Sequence, residues 1–196
     1  MVAMIGALAV GVMIGYAGLL PGFVLARIDT LISLTLGLLL FAVGVELGLD
    51  RQVMKSLLTL RGKILFLPVG VALGSMAAAS IVGLALGQTW NEGAAVGAGF
   101  GWYSLSGIMI ANLHSTELGT LSFLANVMRE VLAILILPWV HRFWGDFAAV
   151  APAGATAMDV CLPLIVELAG EEIGLIAFTS GLVLTFMVPI LVPLLL

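Results

Sequence analysis

The sequence predicts an all-α integral membrane protein, a helical bundle interrupted by two broken segments. Three observations carry that prediction. Hydrophobic residues make up 62% of the 196 residues and charged residues only 9%, whereas a soluble domain is about 25% charged and about 45–50% apolar. The mean hydropathy is +1.27. Apolar stretches of about 20 residues, the length that crosses a hydrocarbon core, recur between short polar connections. So few polar side chains could not cover a water-soluble fold of this size; a lipid bilayer removes that requirement.

The chain reads as one transmembrane domain, 1–196. Residues 2–20 form the first expected span, closed by Pro21-Gly22, with Arg27 and Asp29 in the connection. This opening stretch lacks a basic n-region and a clear cleavage site, so it reads as a retained helix and not a signal peptide. Residues 30–48 form the second span, with Glu46 as an interfacial residue near its end. The stretch 48–63 is polar and holds Arg51, Lys55, Arg61 and Lys63, four of the seven Lys and Arg residues. Residues 63–87 form a third span, followed by a polar turn at 88–92 that carries Trp90, a residue type favoured at membrane interfaces. The spans 117–140 and 172–195 complete the set. Pro138, Pro189 and Pro193 are expected at helix ends or kinks.

Two pieces do not fit the pattern. Residues 93–113 are apolar, yet glycine recurs at 93, 97, 99, 101 and 107, and each glycine in a continuous helix costs about 1 kcal/mol against alanine. Residues 152–170 are likewise short, interrupted by glycine and by Pro163. Each piece is either a full crossing or a re-entrant hairpin. The positive-inside rule puts 48–63 in the cytoplasm, hence the N-terminus inside and the C-terminus outside under either reading. The hairpin reading also puts His141 and Arg142 on the cytoplasmic side, and is favoured for that reason. Hairpins entering from opposite faces are what an inverted-repeat transporter fold produces, with its substrate site near the midplane between broken helices.

Ionisable residues at membrane depth are costly and mark functional positions by default. Asn126, Arg129 and Glu130 lie in one apolar helix at offsets of three and four, which places them on one side. In one reading Arg129 and Glu130 neutralise each other or a neighbour and lock the bundle. In the other Glu130 lines a hydrated cavity and binds a cation or a proton, with Asn126 supplying an amide. Asp159 stands in the break Gly154-Ala155-Thr156-Ala157-Met158, where freed carbonyls and a carboxylate suit a cation or an ammonium group; the bland alternative is a helix cap near the interface. In the other break, Trp102, Tyr103, Ser104 and Ser106 are candidates to satisfy freed backbone or contact solute, against close packing of small residues. Dry pockets favour a carboxylate's neutral form, so Glu130 and Asp159 could trade protons for a cationic solute.

Other classes find less support. No basic patch suits nucleic acid. There is no P-loop, no Gly-x-Ser-x-Gly elbow and no His/Cys cluster for zinc, so neither an enzyme, a metal site nor a cofactor is expected. The single Cys161 reads as a packing residue.

GFGWYSLSG at 99–107, Asn126-x-x-Arg129-Glu130 with Pro138 after it, and GATAMD…P at 154–163 together resemble the bacterial lysine exporter (LysO) family, in the same order and spacing across the whole chain. The resemblance implies export of L-lysine, and of its analogue thialysine, across the inner membrane, with Glu130 and Asp159 in the transport path. Typical members carry a further N-terminal group of helices. The resemblance therefore also implies a partner, either a separately encoded N-terminal half or further copies of the chain in a homo-oligomer.

Overall fold

In the structure, a computed structural model, residues 66–196 are described continuously, with 10, 11, 13–18, 21–25, 27, 30, 31, 34 and 38 before them. Most of the expected spans 2–20 and 30–48, and the whole basic stretch 48–63 with Glu46 just before it, lie outside the described residues. Among the described residues the ordered elements are all helical. After a four-residue turn, Gly22–Leu25, come α1 (Phe66–Ala85), α2 (Trp90–Gly97), α3 (Tyr103–Leu113), α4 (Thr116–Trp144), α5 (Asp146–Ala153), a 3-10 turn (Gly154–Met158), α6 (Leu162–Ala169) and α7 (Glu171–Leu195).

Length sorts these helices into two kinds. Three of them, α1, α4 and α7, are long and apolar enough to cross a membrane. By contrast α2, α5 and α6 have eight residues each, which rise about 12 Å against a hydrocarbon core of about 30 Å. Helix α4 runs on past the expected end at 140 to Trp144, and Pro138 sits inside it; Pro189 and Pro193 sit inside α7. A proline there removes one ladder hydrogen bond without ending the helix, because the packing of neighbouring turns holds the axis.

Local chemistry starts and stops each piece. Thr89 and Glu92 form a capping box on α2: Thr89 N–H donates to Glu92 Oε2 at 2.6 Å, and Glu92 N–H to Thr89 Oγ1 at 3.3 Å. Ser115 Oγ accepts from Leu118 N–H to open α4. Gly145 (φ +85) and Gly170 (φ +86) turn the chain between α4 and α5 and between α6 and α7, a left-handed conformation that other residues adopt only at a cost.

The short helices fold back in pairs. Glu92, at the start of α2, meets His114, just past the end of α3, at 2.8 Å. The two ends of the first broken segment are therefore adjacent. The Glu92 carboxyl is held below its ordinary 4.5 by the Thr89 backbone N–H first, then by the Thr89 hydroxyl and by His114. The Glu92 carboxylate is consequently ionised at neutral pH, and what its charge contributes is lost as pH falls through that lowered value. In the second segment Ala149 of α5 and Ile165 of α6 share one buried cluster with Leu137 of α4 and Ile173 of α7. Helix α7 then carries Leu184, Val188 and Val192 into a second cluster with Phe100, Leu105 and Leu118. Each long helix thus serves both broken segments, one with each half.

Glycine makes the close approaches possible. A Cβ on Gly97 would lie 2.7 Å from Ser75 O and 2.8 Å from Ala79 Cβ, whereas one on Gly70 would meet nothing within 4 Å. Gly97→Ala should cost about 1–3 kcal/mol by overpacking, and Gly70→Ala should gain up to about 1 kcal/mol in helix propensity. Thermal unfolding of the purified variants in detergent checks the pair; equal midpoints would contradict this packing of α2 on α1.

Candidate functional site

The two breaks meet. Residues 98–102 turn between α2 and α3, and 154–161 turn between α5 and α6. Ala155 N–H donates to Phe100 O at 2.8 Å across the junction. Phe100 is fully buried and holds φ +49, a left-handed conformation that costs a non-glycine residue about 1–2 kcal/mol. Its buried ring and this hydrogen bond offset that cost. Gly154 (φ +62) passes so close to Phe100 O and the Arg129 guanidinium that a Cβ would collide with both.

Three residues of α4 face this junction and take different roles. Asn126 serves the first break: its Oδ1 accepts from Gly101 N–H at 2.8 Å, and its Nδ2 donates to Val96 O at 3.1 Å and Ser122 O at 2.9 Å. A Cβ on Gly99 would strike Asn126 Nδ2 at 2.5 Å, so only glycine leaves room for that amide. Arg129 serves the second break. Its Nε donates to Pro152 O at 3.2 Å, its Nη2 reaches Ala151 O at 3.5 Å, and its Nη1 donates to Ser75 Oγ of α1. The last carbonyls of α5 carry the negative end of the helix dipole, and a cation suits them.

Glu130 differs from both. The residue is 2% exposed, and its Oε1 is buried without a hydrogen-bond partner among the described residues. Glu130 and Asp159 lie within electrostatic reach of each other, and both reach Tyr103 and Cys161. Asp159 is exposed, follows the 3-10 turn and accepts from Val160 N–H at 2.6 Å.

The remaining candidates from the sequence fall around this centre. Ser106 is buried and donates to Trp102 O at 3.0 Å while accepting from Ser122 Oγ at 3.3 Å. Tyr103 packs edge-on to Phe123 at 5.5 Å. Trp102, the residue that caps α3, is partly buried against the apolar cluster, and Ser104 is half-buried. Thr156 turns inward, donating to Ala153 O at 2.8 Å with Cys161 Sγ at 3.4 Å. The structure thus gathers both breaks and the Asn126-Arg129-Glu130 face in one place.

It also adds residues that the sequence reading missed. Ser75 links the end of α2 to Arg129, Ser122 bonds Ser106 and Asn126 beside the first break, and α7 contributes buried Thr179, Ser180 and Thr185. Ser180 Oγ joins Glu130 Oε1 as a buried polar atom without a partner among the described residues. The available signal was a polar residue in a long apolar span, with Ser122 four residues before Asn126.

The chain matches the family model described as lysine exporter LysO over residues 5–196. It is 35% identical over 185 residues to the lysine exporter LysO of Escherichia coli (strain K12), an alignment covering 92% of this chain and 60% of that protein. A Haemophilus influenzae (strain ATCC 51907 / DSM 11121 / KW20 / Rd) protein, provisionally named as a lysine exporter, is 31% identical over 153 residues, 78% of this chain and 77% of that one. The chain therefore spans less than two thirds of the length of the E. coli relative. No solved structure matches it.

Replacing Asn126 by Ala orphans Gly101 N–H and Val96 C=O, at about 1–3 kcal/mol for each buried group left unpaired. Asn126→Ala should therefore unfold at clearly lower temperature than wild type in detergent, with Asn126→Asp between them because it keeps the acceptor for Gly101. An unchanged midpoint for Asn126→Ala would contradict this role.

Proposed function

The chain belongs to the lysine exporter LysO family, and on that premise we propose that it is a secondary transporter exporting L-lysine, and its analogue thialysine, across a bacterial or archaeal cytoplasmic membrane. In this reading the two paired short helices are re-entrant hairpins from opposite faces, related as an inverted repeat, with the N-terminus inside and the C-terminus outside. The observation that carries the proposal is the unpartnered, buried Glu130 Oε1 at the meeting point of two helix breaks.

The physics of that carboxylate supports a cation pathway. An uncompensated charge in a water-poor interior costs several kcal/mol. Two occupants remove the cost: a proton on Glu130, or a cationic group beside it. Arg129 does not fill that role, since its hydrogen bonds go to the carbonyls of α5 and to Ser75. A lysine ammonium and a proton then compete for one carboxylate. Arrival of the ammonium displaces the proton, and proton return displaces the ammonium. Run between two sides of a membrane, this exchange is proton-coupled antiport. Asp159, within electrostatic reach of Glu130, provides a second carboxylate for the proton or the cation as the solute moves. Trp102, Tyr103, Ser104, Ser106, Asn126, Arg129 and Thr156 frame the path, most of them by fixing the backbone around it.

A second reading makes the chain a non-transporting membrane subunit that completes a two-chain transporter. The two readings differ at the carboxylates, because a scaffold has no need of both charges. Lysine efflux from proteoliposomes, with the chain alone and with any separately encoded N-terminal half supplied, tests them. Glu130→Gln should lower efflux by about a hundredfold or more at normal membrane levels, the scale of a lost buried charge interaction, and Asp159→Asn should lower it as well. Wild-type efflux in the double variant would support the scaffold, and no lysine movement in any combination would reject the substrate.

A further inference from the structure

Ser75 lies about halfway along α1, in an apolar helix with little other chemistry. A serine hydroxyl can donate one hydrogen bond while accepting others, and Ser75 does both between two segments. It donates to Gly97 O, the last residue of α2, at 3.0 Å. It accepts from Arg129 Nη1, and Arg129 also holds the carbonyls of Ala151 and Pro152 in the last turn of α5. The two half-helices therefore end on one relay: Gly97 carbonyl, Ser75 hydroxyl, Arg129 guanidinium, α5 carbonyls. Helix C-termini carry partial negative charge, so a single cation serves both ends. Arg129 reaches α5 directly and is linked to the end of α2 through Ser75.

We propose that Ser75 is a positioning residue that couples the two breaks, so that neither parts from the α1–α4 frame without disturbing the other. The proposal rests on the transport reading only in taking that joint movement as part of the transport step. Ser80 provides the internal comparison. It lies on the same helix and its hydroxyl also donates to an α2 carbonyl, that of Trp90, at 3.0 Å. That bond is at the start of α2 and connects to nothing beyond it. Sealing a carbonyl is common to both serines; bridging two breaks is particular to Ser75.

Cys161 offers a reporter already in the chain. It is the one cysteine of the sequence, fully buried behind the second break with Sγ 3.4 Å from Thr156 Oγ1. The rate at which N-ethylmaleimide labels it in the full-length protein in membranes reads how often that break opens. Ser75→Ala and Ser75→Gly should both speed labelling about tenfold or more, the scale of a lost hydrogen bond to a charged group. Ser75→Thr, which keeps the hydroxyl, should stay close to wild type, and Ser80→Ala should stay within about twofold because its bond lies outside the relay. Labelling does not require lysine to move, so it stands whatever the efflux assay returns. Where wild type exports lysine, Ser75→Ala should lower the maximal rate and leave KM nearly unchanged, with recovery in Ser75→Thr. Wild-type labelling in both hydroxyl-free variants, or equal acceleration by Ser80→Ala, would overturn the proposal.

Discussion

The constraint that shapes this fold is the fate of backbone groups freed where a helix stops in the buried interior. Each buried amide or carbonyl left unsatisfied costs about 1–3 kcal/mol. Two breaks bring two sets of such groups together. The chain answers with side chains from continuous helices: Asn126 takes Gly101 N–H and Val96 C=O, and Arg129 takes the last carbonyls of α5. The breaks can then rest against each other through Ala155 and Phe100.

Much of the packing follows from that arrangement. Gly99 is glycine because the Asn126 amide occupies the space of a Cβ, and Gly181 of α7 allows a close approach to Ala155 O and Met158 N of the second break. Four polar residues in the middle of α4 fall at 122, 126, 129 and 130, on one face of the helix. Three of the four are bonded into the fold. The fourth, Glu130, has an oxygen without a partner among the described residues, and the proposed transport path is built on it for that reason.

A good part of this could be read from the residues alone. Glycine spacing marked both breaks, because backbone freedom leaves a compositional trace. The offsets of Asn126, Arg129 and Glu130 placed them together, because helical periodicity is fixed. The partners of each side chain were less accessible. Asn126 was read as an amide offered to a cation, and Arg129 as a possible mate for Glu130. The structure gives Asn126 to the backbone of one break and Arg129 to the backbone of the other. Such contacts join residues 22 or more positions apart in sequence, as between Arg129 and Ala151, and no local pattern encodes them. Ser75 was missed for the same reason: one serine in a run of small residues looks like packing until its two partners are seen. The span 117–140 was read short because His141 to Asp146 looks like a polar connection, whereas α4 continues to Trp144.

The claim that the two breaks meet can be tested most directly by a cross-link. A Cβ on Gly101 would touch the Thr156 side chain, 3.4 Å from Cγ2, one bond beyond Thr156 Cβ, which brings the pair near the Cβ separation of about 3.5–4.5 Å that a disulfide spans. Cysteines at 101 and 156 in a Cys161→Ala chain should cross-link on mild oxidation. A protease cut engineered beside Gly145 should then leave two fragments joined until reduced, while a control pair at 101 and 169 should separate. Fragments that separate for the 101–156 pair as readily as for the control would show that the broken segments do not touch, and the account of Glu130 as a shared central site would fall with them.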